Sequence, residues 1–273
     1  MNRKKPPQRE RRSPRSPRPK GRGVGELKVY GLAAAEAAVT HRLDDVLRVY
    51  LTVQRKARFA ELLRHCARQR LPYRLVDDAQ LKKVSGSSHH QGICVVTRPI
   101  EVVSEERVFR RVARPDPQTW IYLDRVGNPH NFGAIARSAA HFGVTGILTP
   151  DVQEAASISG AALRTSEGGL EAVPVARLST PMATLERFRS EQGFTIWATA
   201  ASGDKDVWRA TPPERLVWVM GTEVSGVSEE LLHFACARVS IGGTGAVESL
   251  NVSTAAALCL GQSWRAHGHA KTQ

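Results

Sequence analysis

From residue 117 onward, short apolar segments alternate with longer stretches whose apolar positions recur at helical spacing. The apolar segments predict six strands, at Trp120 to Leu123, Gly146 to Thr149, Val173 to Ala176, Phe194 to Thr199, Leu216 to Met220 and Arg238 to Ile241. Strands separated by helices predict an α/β fold with a parallel sheet covered by helices on both faces. In such sheets ligands bind beyond the carboxyl ends of the strands, so the residues after each strand are the first candidates for a functional site.

The preceding segment, residues 26 to 100, has a shorter version of the same alternation. Val46 to Leu51, Tyr73 to Val76 and Gly92 to Thr97 are predicted strands, and Phe59 to Arg70 is a predicted helix. The predicted buried face of that helix consists of Leu62, Leu63, Cys66 and Ala67. We therefore expect a small α/β domain over 26 to 100, a linker over 101 to 116 that ends near Pro115 and Pro117, and a second domain over 117 to 268.

Charge is distributed unevenly along the chain. The formal net charge is +13, and the first 22 residues hold ten Lys and Arg against the single acid Glu10, which leaves 13 − 9 = +4 for the rest. Residues 1 to 25 also have almost no apolar side chains, so we expect them to be a disordered basic tail. Two interpretations stay open, a nucleic-acid-binding arm and a solubilising tail.

Several classes of protein are disfavoured. The basic start is not followed by an apolar stretch, so a signal peptide is not expected, no segment has the length of a spanning helix, and we expect a cytoplasmic protein. The four cysteines, Cys66, Cys94, Cys236 and Cys259, lie far apart without a C-x-x-C pair. We expect reduced thiols and no metal site.

The segment after the first strand of the second domain combines turn residues with a helix start. Asn131 follows Pro129, Gly133 and Ala134 allow a close approach to the helix, and Arg137 comes one to two turns later. Taken alone, this segment fits an ordinary helix cap at Asn131 and a solvent-exposed Arg137 at least as well as it fits a functional site.

Two later strands are followed by glycine-rich loops. The first, GTEVSGVS at 221–228, could bring a ligand close to its backbone, and Ser228 could cap the next helix. The second begins at Gly242 and leads through Ser249 and Asn251 into an Ala-rich helix, whose N-terminal N–H groups could bind a polar ligand. Neither loop matches a dinucleotide or phosphate-binding fingerprint.

Together these segments resemble the three signature motifs of the SpoU/TrmH family of SPOUT methyltransferases. The matching segments are NPHNFGAIAR at 128–137, GTEVSGVS at 221–228 and VESLNVSTAA at 247–256. The first domain resembles the substrate-binding domain similar to ribosomal protein L30e, with Val29-Tyr30-Gly31-Leu32 and His90-Gln91-Gly92 as its matching ends. The resemblance implies an RNA 2'-O-ribose methyltransferase that uses S-adenosylmethionine, a deep trefoil knot and a homodimer.

The resemblance also implies roles for individual residues. Backbone groups at Gly221, Ile241 and Leu250 would hold S-adenosylmethionine, near the end of the predicted strand Phe194 to Thr199. Arg137 matches the family's catalytic arginine. Because arginine stays protonated at neutral pH, we expect it to stabilise the developing alkoxide or relay its proton rather than act as a simple base. The polar residues that would orient Arg137, the substrate and the last helix are Asn131, Glu223, Ser249 and Asn251.

The chain departs from the family pattern at two places. It has Ile241-Gly242-Gly243 where many relatives have Ile-Pro-Met, which predicts a more flexible cofactor loop. It has Ser166-Glu167-Gly168-Gly169 where Ser-Ala-Gly-Ala is commoner.

Two other function classes are alternatives. A catalytically weak or inactive RNA-binding or ribosome-assembly protein could keep the same fold, but the full set of polar motif residues argues against it. A nucleotide-binding oxidoreductase would need the dinucleotide fingerprint that is missing here. RNA is the expected partner, and ribosomal RNA is favoured over transfer RNA because the L30e-like domain more often accompanies ribosomal-RNA enzymes.

Deletion of residues 1 to 25 tests the basic tail. If about five of its ten basic residues contact single-stranded RNA, the slope of log affinity against log salt should fall by roughly 3 to 4. The methylated position should not change, because such contacts reach phosphates and do not read bases. A salt titration of both proteins with methyl mapping of the product measures this. An unchanged slope would make the segment a solubilising tail.

Overall fold

The computed structural model describes residues 25–267, so most of the predicted basic tail lies outside the described residues. Two sheets are present, one of four strands and one of seven. The strands are β1 Leu27–Tyr30, β2 Val46–Leu51, β3 Tyr73–Leu75, β4 Ile93–Thr97, β5 Gln118–Leu123, β6 Gly146–Pro150, β7 Val175–Leu178, β8 Thr195–Thr199, β9 Lys205–Asp206, β10 Arg215–Met220 and β11 Ala237–Ser240. The helices are α1 Leu32–Arg42, α2 Ala60–Gln69, α3 Asp78–Ser85, α4 Glu105–Val112, α5 Pro129–His141, α6 Gly160–Ser166, α7 Gly169–Ala172, α8 Pro181–Ser190, α9 Glu229–Phe234 and α10 Val252–His267.

The larger sheet has the order β7-β6-β5-β10-β8-β11-β9, and all its strand pairs are parallel. This confirms the predicted α/β class and parallel sheet. Its central strands are apolar along nearly their whole length, as expected for strands covered on both faces. The trefoil knot stays a prediction.

Strand positions agree closely with the sequence pattern, apart from two differences. The strand predicted to begin at Val173 begins at Val175, after the short helix α7 and Pro174. The two-residue edge strand β9 was not predicted, because Lys205 and Asp206 carry no apolar signal. It pairs in parallel with β11, and the hydroxyl of Ser240 also donates to the carbonyl of Lys205 at 3.3 Å.

The four-stranded sheet has the order β1-β4-β2-β3 and mixes antiparallel with parallel pairs. Helix α2 buries Leu62, Leu63 and Cys66 as predicted, but Ala67 is exposed and His65 is buried instead. Both residues lie about 100° from the centre of the apolar face, so helical spacing alone does not decide which edge is covered.

The two sheets are joined by direct packing. One apolar cluster includes Leu27, Val29 and Ala38 from the first unit together with Leu163 and Leu170 from the second. Helices α6 and α7 of the second unit therefore pack against the first unit through apolar side chains.

The turn between α6 and α7 fits closely between its neighbours. A Cβ atom on Gly168, which has φ +101°, would lie 2.9 Å from the Cβ of Ala37 in α1. A Cβ atom on Gly169 would lie 2.5 Å from the carbonyl oxygen of Ala136 in α5. Both glycines are needed because a larger residue would push α1 or α5 away.

An ion pair crosses the same junction. Arg42 at the end of α1 donates from Nε and Nη2 to the two carboxylate oxygens of Glu171, at 2.6 and 2.9 Å. The Glu171 side chain is only 1% exposed and that of Arg42 is 15% exposed. A buried carboxylate of this kind depends on its partner, since neither charge can return to water while the junction is closed.

The segment between the units is structured. Helix α4 lies within the predicted linker at 101 to 116, and its Val108 and Val112 are buried in the second apolar cluster. Val103 donates its N–H to the carbonyl of Val175 at 2.8 Å. The connection therefore packs against the larger sheet, and the exact domain limits stay a prediction.

All four cysteines are free, and three of them, Cys66, Cys94 and Cys259, are buried. Burial raises the pKa of the Cys94 thiol to about 11, so this group stays protonated. Cys236 is exposed. Within residues 25–267, no helix has the length and apolar character needed to cross a bilayer.

Replacement of Arg42 by Met tests the junction. It leaves the buried Glu171 carboxylate without its partner and should lower the free energy of unfolding by about 3 kcal/mol, measured by urea denaturation. Adding Glu171→Met should recover most of the loss, because neither charge then remains buried. The matched control is Arg58→Met, which breaks an exposed pair with Glu36 on the same helix α1 and should cost less than about 1 kcal/mol. Equal losses from the two single variants would contradict a stabilising junction.

Candidate active site

Three loops leave the same edge of the larger sheet. They follow β5, β10 and β11, and because these strands are parallel their carboxyl ends face the same side. Strands β5 and β10 are direct neighbours, and β8 separates β10 from β11. The three segments singled out in the sequence are thus brought to one place.

The loop after β10 is tightly folded onto itself. Thr222 and Gly226 exchange two backbone hydrogen bonds of 3.1 and 3.0 Å, and the hydroxyls of Thr222 and Ser225 lie 2.8 Å apart. A Cβ atom on Gly221 would lie 1.9 Å from the carbonyl carbon of Gly226. Glycine at 221 is therefore required for the loop to close, whether or not a ligand contacts it.

A buried carboxylate ties this loop to the end of β5. Asp124 is 4% exposed, and its Oδ2 accepts the backbone N–H of Ser228 at 2.8 Å. Ser228 stands at the N-cap position of α9 as predicted, but its side chain forms no cap hydrogen bond. Asp124 thus links the start of the loop after β5 to the end of the loop after β10, and sequence reasoning missed it because a single acid after a strand is common.

Helix α5 is positioned by its own first residues. Asn128, rather than Asn131, caps it by accepting the N–H of His130 at 2.8 Å, and Pro129 occupies the first turn. Gly133 permits close packing, since a Cβ atom there would lie 2.4 Å from the carbonyl oxygen of Ala162 in α6. Asn131 therefore does not cap α5, and its side-chain amide is available for other hydrogen bonds.

The amides of Asn131 and Asn251 meet the carboxylate of Glu223. Asn131 Nδ2 donates to Glu223 Oε1 at 3.0 Å, and Asn251 Nδ2 donates both to Asn131 Oδ1 at 3.0 Å and to the same Glu223 oxygen. Asn251 Oδ1 accepts the N–H of Ser253 at 2.9 Å, which caps α10. Three of the predicted site residues, one from each loop, thus form one hydrogen-bonded network.

Arg137 has a different partner. Its Nη2 lies 2.9 Å from Oε2 of Glu167, and both side chains are about half exposed, at 59% and 45%. Glu167 has φ +45°, in the left-handed region, and sits in the turn that Gly168 and Gly169 pack against α1 and α5. The residue that departs from the family pattern, Glu167, therefore forms an ion pair with Arg137, the predicted catalytic arginine.

The loop after β11 is open to solvent. Residues 242–250 are exposed, Ile241 is half-buried against the core, and Leu250 is 42% exposed. Ser249 is exposed in this loop and is not part of the Asn131–Glu223–Asn251 network. Among the described residues, no three His, Cys, Asp or Glu side chains converge as a metal site.

The chemistry of these loops fits an adenosine-type cofactor. Residues 242–245 offer peptide N–H and C=O groups without bulky side chains, which suits recognition of polar edges. Val247 and Leu250, in the same loop, expose apolar side chains against which the flat ring of an adenine could pack. Gly221, Ile241 and Leu250 all lie at the ends or in the loops of β10 and β11.

Comparison with known proteins identifies relatives of both units. The sequence model of the SpoU rRNA Methylase family matches residues 118–261, and that for RNA 2'-O ribose methyltransferase substrate binding matches residues 28–103. An uncharacterised tRNA/rRNA methyltransferase, YfiF, from Escherichia coli O157:H7 is 35% identical over 88% of this chain and 68% of that protein. The 23S rRNA (guanosine-2'-O-)-methyltransferase RlmB of Nitrosomonas europaea is 30% identical over 88% of this chain and 91% of its own length.

A solved structure shows the same fold. The SpoU methyltransferase AviRb from Streptomyces viridochromogenes, in complex with its cofactor AdoMet, superposes with a TM-score of 0.70 at 22% identity, over 91% of this chain and 92% of that chain. The sequence-based predictions of family, enzyme class and cofactor agree with these comparisons. The chain belongs to the SpoU family of RNA methyltransferases.

Proposed function

We propose that the protein transfers a methyl group from S-adenosylmethionine to a ribose 2'-hydroxyl of ribosomal RNA. The observation that carries this proposal is the hydrogen-bonded network of Asn131, Glu223 and Asn251, which draws one residue from each of three loops to one edge of the sheet. A network that spans three loops fixes their relative positions, and alignment of the reactants can lower the barrier of an in-line displacement by roughly 7 to 11 kcal/mol.

The cofactor would be held by the backbone at Gly221, Ile241 and Leu250. S-adenosylmethionine supplies an electrophilic methyl group on its sulfonium. The tight turn between Thr222 and Gly226 keeps one side of the site rigid, whereas the glycines at 242 and 243 allow the other side to adapt. Glu223 would hold the two asparagine amides in one orientation.

Arg137 would act on the RNA. Its guanidinium presents two or more parallel N–H donors, which match a phosphate and a neighbouring oxygen, and it would stabilise the negative charge that develops on the 2'-oxygen as the hydroxyl proton passes to solvent water. Ser249 would help to position the substrate at the exposed loop. In the absence of RNA, the carboxylate of Glu167 is paired with the guanidinium of Arg137. An RNA phosphate would therefore compete with that carboxylate for Arg137.

Ribosomal RNA is the proposed substrate because the match to RlmB extends over both units, covering 91% of that enzyme. The substrate-binding unit over 28–103 packs directly on α6 and α7 and would present folded RNA to the site. A cytoplasmic homodimer is the proposed working form, in line with the resemblance of the whole second unit to its family.

The direct assay uses S-adenosylmethionine with a labelled methyl group and ribosomal RNA that lacks its natural methylation. The proposal expects label in a 2'-O-methylated nucleoside after complete digestion of the RNA. Binding of RNA and cofactor without transfer would instead support an RNA-binding protein that keeps the fold. Label only in a base, or only in transfer RNA, would refute the chosen substrate.

Replacement of Arg137 by Ala tests the arginine. Transfer should fall roughly 100- to 1000-fold, because a preformed charge at the developing oxyanion is lost, while S-adenosylmethionine affinity measured by calorimetry should remain nearly unchanged. Arg137→Lys should fail similarly, since a point charge cannot reproduce the planar fork. Normal turnover by Arg137→Ala would reduce it to a surface residue of α5.

Replacement of Glu167 by Gln tests the competing ion pair. Glutamine has nearly the same size as glutamate but carries no charge. RNA affinity should therefore rise roughly 2- to 5-fold, which corresponds to the free energy that an exposed ion pair contributes. The gain should shrink at high salt, because exposed pairs are screened. Glu191→Gln is the control, an exposed glutamate paired with Arg187 on α8, and should leave affinity unchanged. Weaker RNA binding by Glu167→Gln would show that Glu167 supports Arg137 instead of competing for it.

A further inference from the structure

A cavity of about 710 Å³ lies where the first unit meets helix α6. Its lining comes from the loops after β2 and before β4, from α3, and from one residue of the second unit, Arg164. It is separate from the Asn131–Glu223–Asn251 network, none of whose residues line it. A space of this volume is large enough to take a group the size of a nucleotide.

The wall of the cavity formed by His90, Gln91 and Gly92 is held by specific hydrogen bonds. Gln91 Oε1 accepts the N–H of Leu32 at 2.8 Å, and its carbonyl oxygen accepts from Arg55 Nε at 2.9 Å. Gln91 and Gly92 both have positive φ, +52° and +84°. The wall is therefore a preformed surface, held by α1 on one side and Arg55 on the other.

His90 is fixed within this wall. It is 6% exposed, and its Nδ1 accepts the N–H of Gly92 at 3.1 Å. An accepting Nδ1 places the proton of the neutral ring on Nε2, which makes Nε2 a donor. His89 beside it is exposed and lines the same cavity, so a flat imidazole face is offered there.

The cavity is lined by more positive than negative charge. Arg55, Lys82 and Arg164 face it against one carboxylate, Asp78. Among residues 25–267, Lys82 and Arg164 take part in no ion pair that would neutralise them. The aliphatic stem of Arg164 packs at Gly31, where an added Cβ would lie 3.1 Å from its Cγ, and the residue lines the cavity.

We propose that this cavity binds one unpaired nucleotide of the RNA, with its phosphate on Arg164 and Lys82 and its base against the imidazole of His89. The proposal rests on the proposed function, which supplies RNA as the ligand. Cationic groups and polar donors around a concave site suit a phosphodiester. A paired base cannot enter, because it stays stacked within a helix, whereas a looped-out base can stack on an aromatic ring such as histidine.

The position of Arg164 gives this site a role in placing the RNA. Arg164 lies in α6, three residues before Glu167, the partner of Arg137. A nucleotide held by both Lys82 of the first unit and Arg164 of the second would be fixed across the junction, at a set distance from the catalytic edge. The cavity would therefore select RNA by the spacing between a looped-out nucleotide and the methylated ribose.

The test uses the full chain and a fluorescent RNA hairpin with an unpaired loop, without cofactor, so that binding is separated from transfer. The double variant Lys82→Met with Arg164→Met removes two charges but keeps the apolar stems. Its hairpin affinity should fall roughly 10-fold or more, and the salt slope should fall by roughly 1.4 for two lost contacts. A blunt RNA duplex of equal length should lose much less affinity.

The matched control is Lys83→Met with Arg68→Met, two exposed cations of the same unit that do not line the cavity. An equal loss from this control, or an unchanged affinity of the cavity variant, would overturn the proposal. If the cavity variant lost as much affinity for the duplex as for the hairpin, the proposal that the cavity binds an unpaired nucleotide would be wrong. If adenosine monophosphate bound as tightly as the hairpin, the cavity would be a site for a free nucleotide instead of RNA. If the wild type binds no RNA at all, the proposed function fails instead.

Discussion

The structure depends on the close packing of one short turn, residues 166–169, between two helices. Gly169 lets this turn approach the backbone of α5 at Ala136, and Gly168 lets it approach Ala37 in α1. Interiors packed at this density transmit displacement rather than absorb it. Consequently the orientation of α5, which carries Asn131 and Arg137, is coupled to the placement of the first unit.

Three charged side chains lie in this turn and in the helices on either side of it. Glu167 in the turn holds Arg137, Arg164 in the preceding helix lines the cavity at the junction, and Glu171 in the next helix binds Arg42. The buried pair secures the junction, whereas the exposed pair costs little to break, since exposed pairs contribute about 1 kcal/mol or less. Under the proposed function, an RNA phosphate would displace Glu167 from Arg137 without disturbing the fold around it.

Sequence patterns predicted much of this architecture because strand and helix periodicity report on burial. The parallel sheet, six of its seven strands to within two residues, and the convergence of the three motif loops all followed from apolar segments and from the rule for strand ends. Strand β9 and helix α7 were missed because a two-residue edge strand and a one-turn helix have no period to detect.

The details of the site were less accessible, because they depend on contacts between residues far apart in sequence. Asn131 could be singled out, but its bond to Asn251 spans 120 positions and depends on the final strand order. Glu167 was noticed only as a departure from a family pattern, and nothing in its neighbours indicated that it would pair with Arg137. Asp124 and the cavity at Arg164 carried no signal, since each depends on how two elements pack.

We propose that the three segments at one edge of the larger sheet form a site that methylates a ribose of ribosomal RNA. A map of 2'-O-methylated positions in ribosomal and transfer RNA, from cells with and without this protein, tests that proposal. We expect a defined ribosomal position to lose its 2'-O-methyl group without the protein and to regain it when the protein is restored. Ribosomal and transfer RNA maps that do not change when the protein is removed would contradict methylation by this protein.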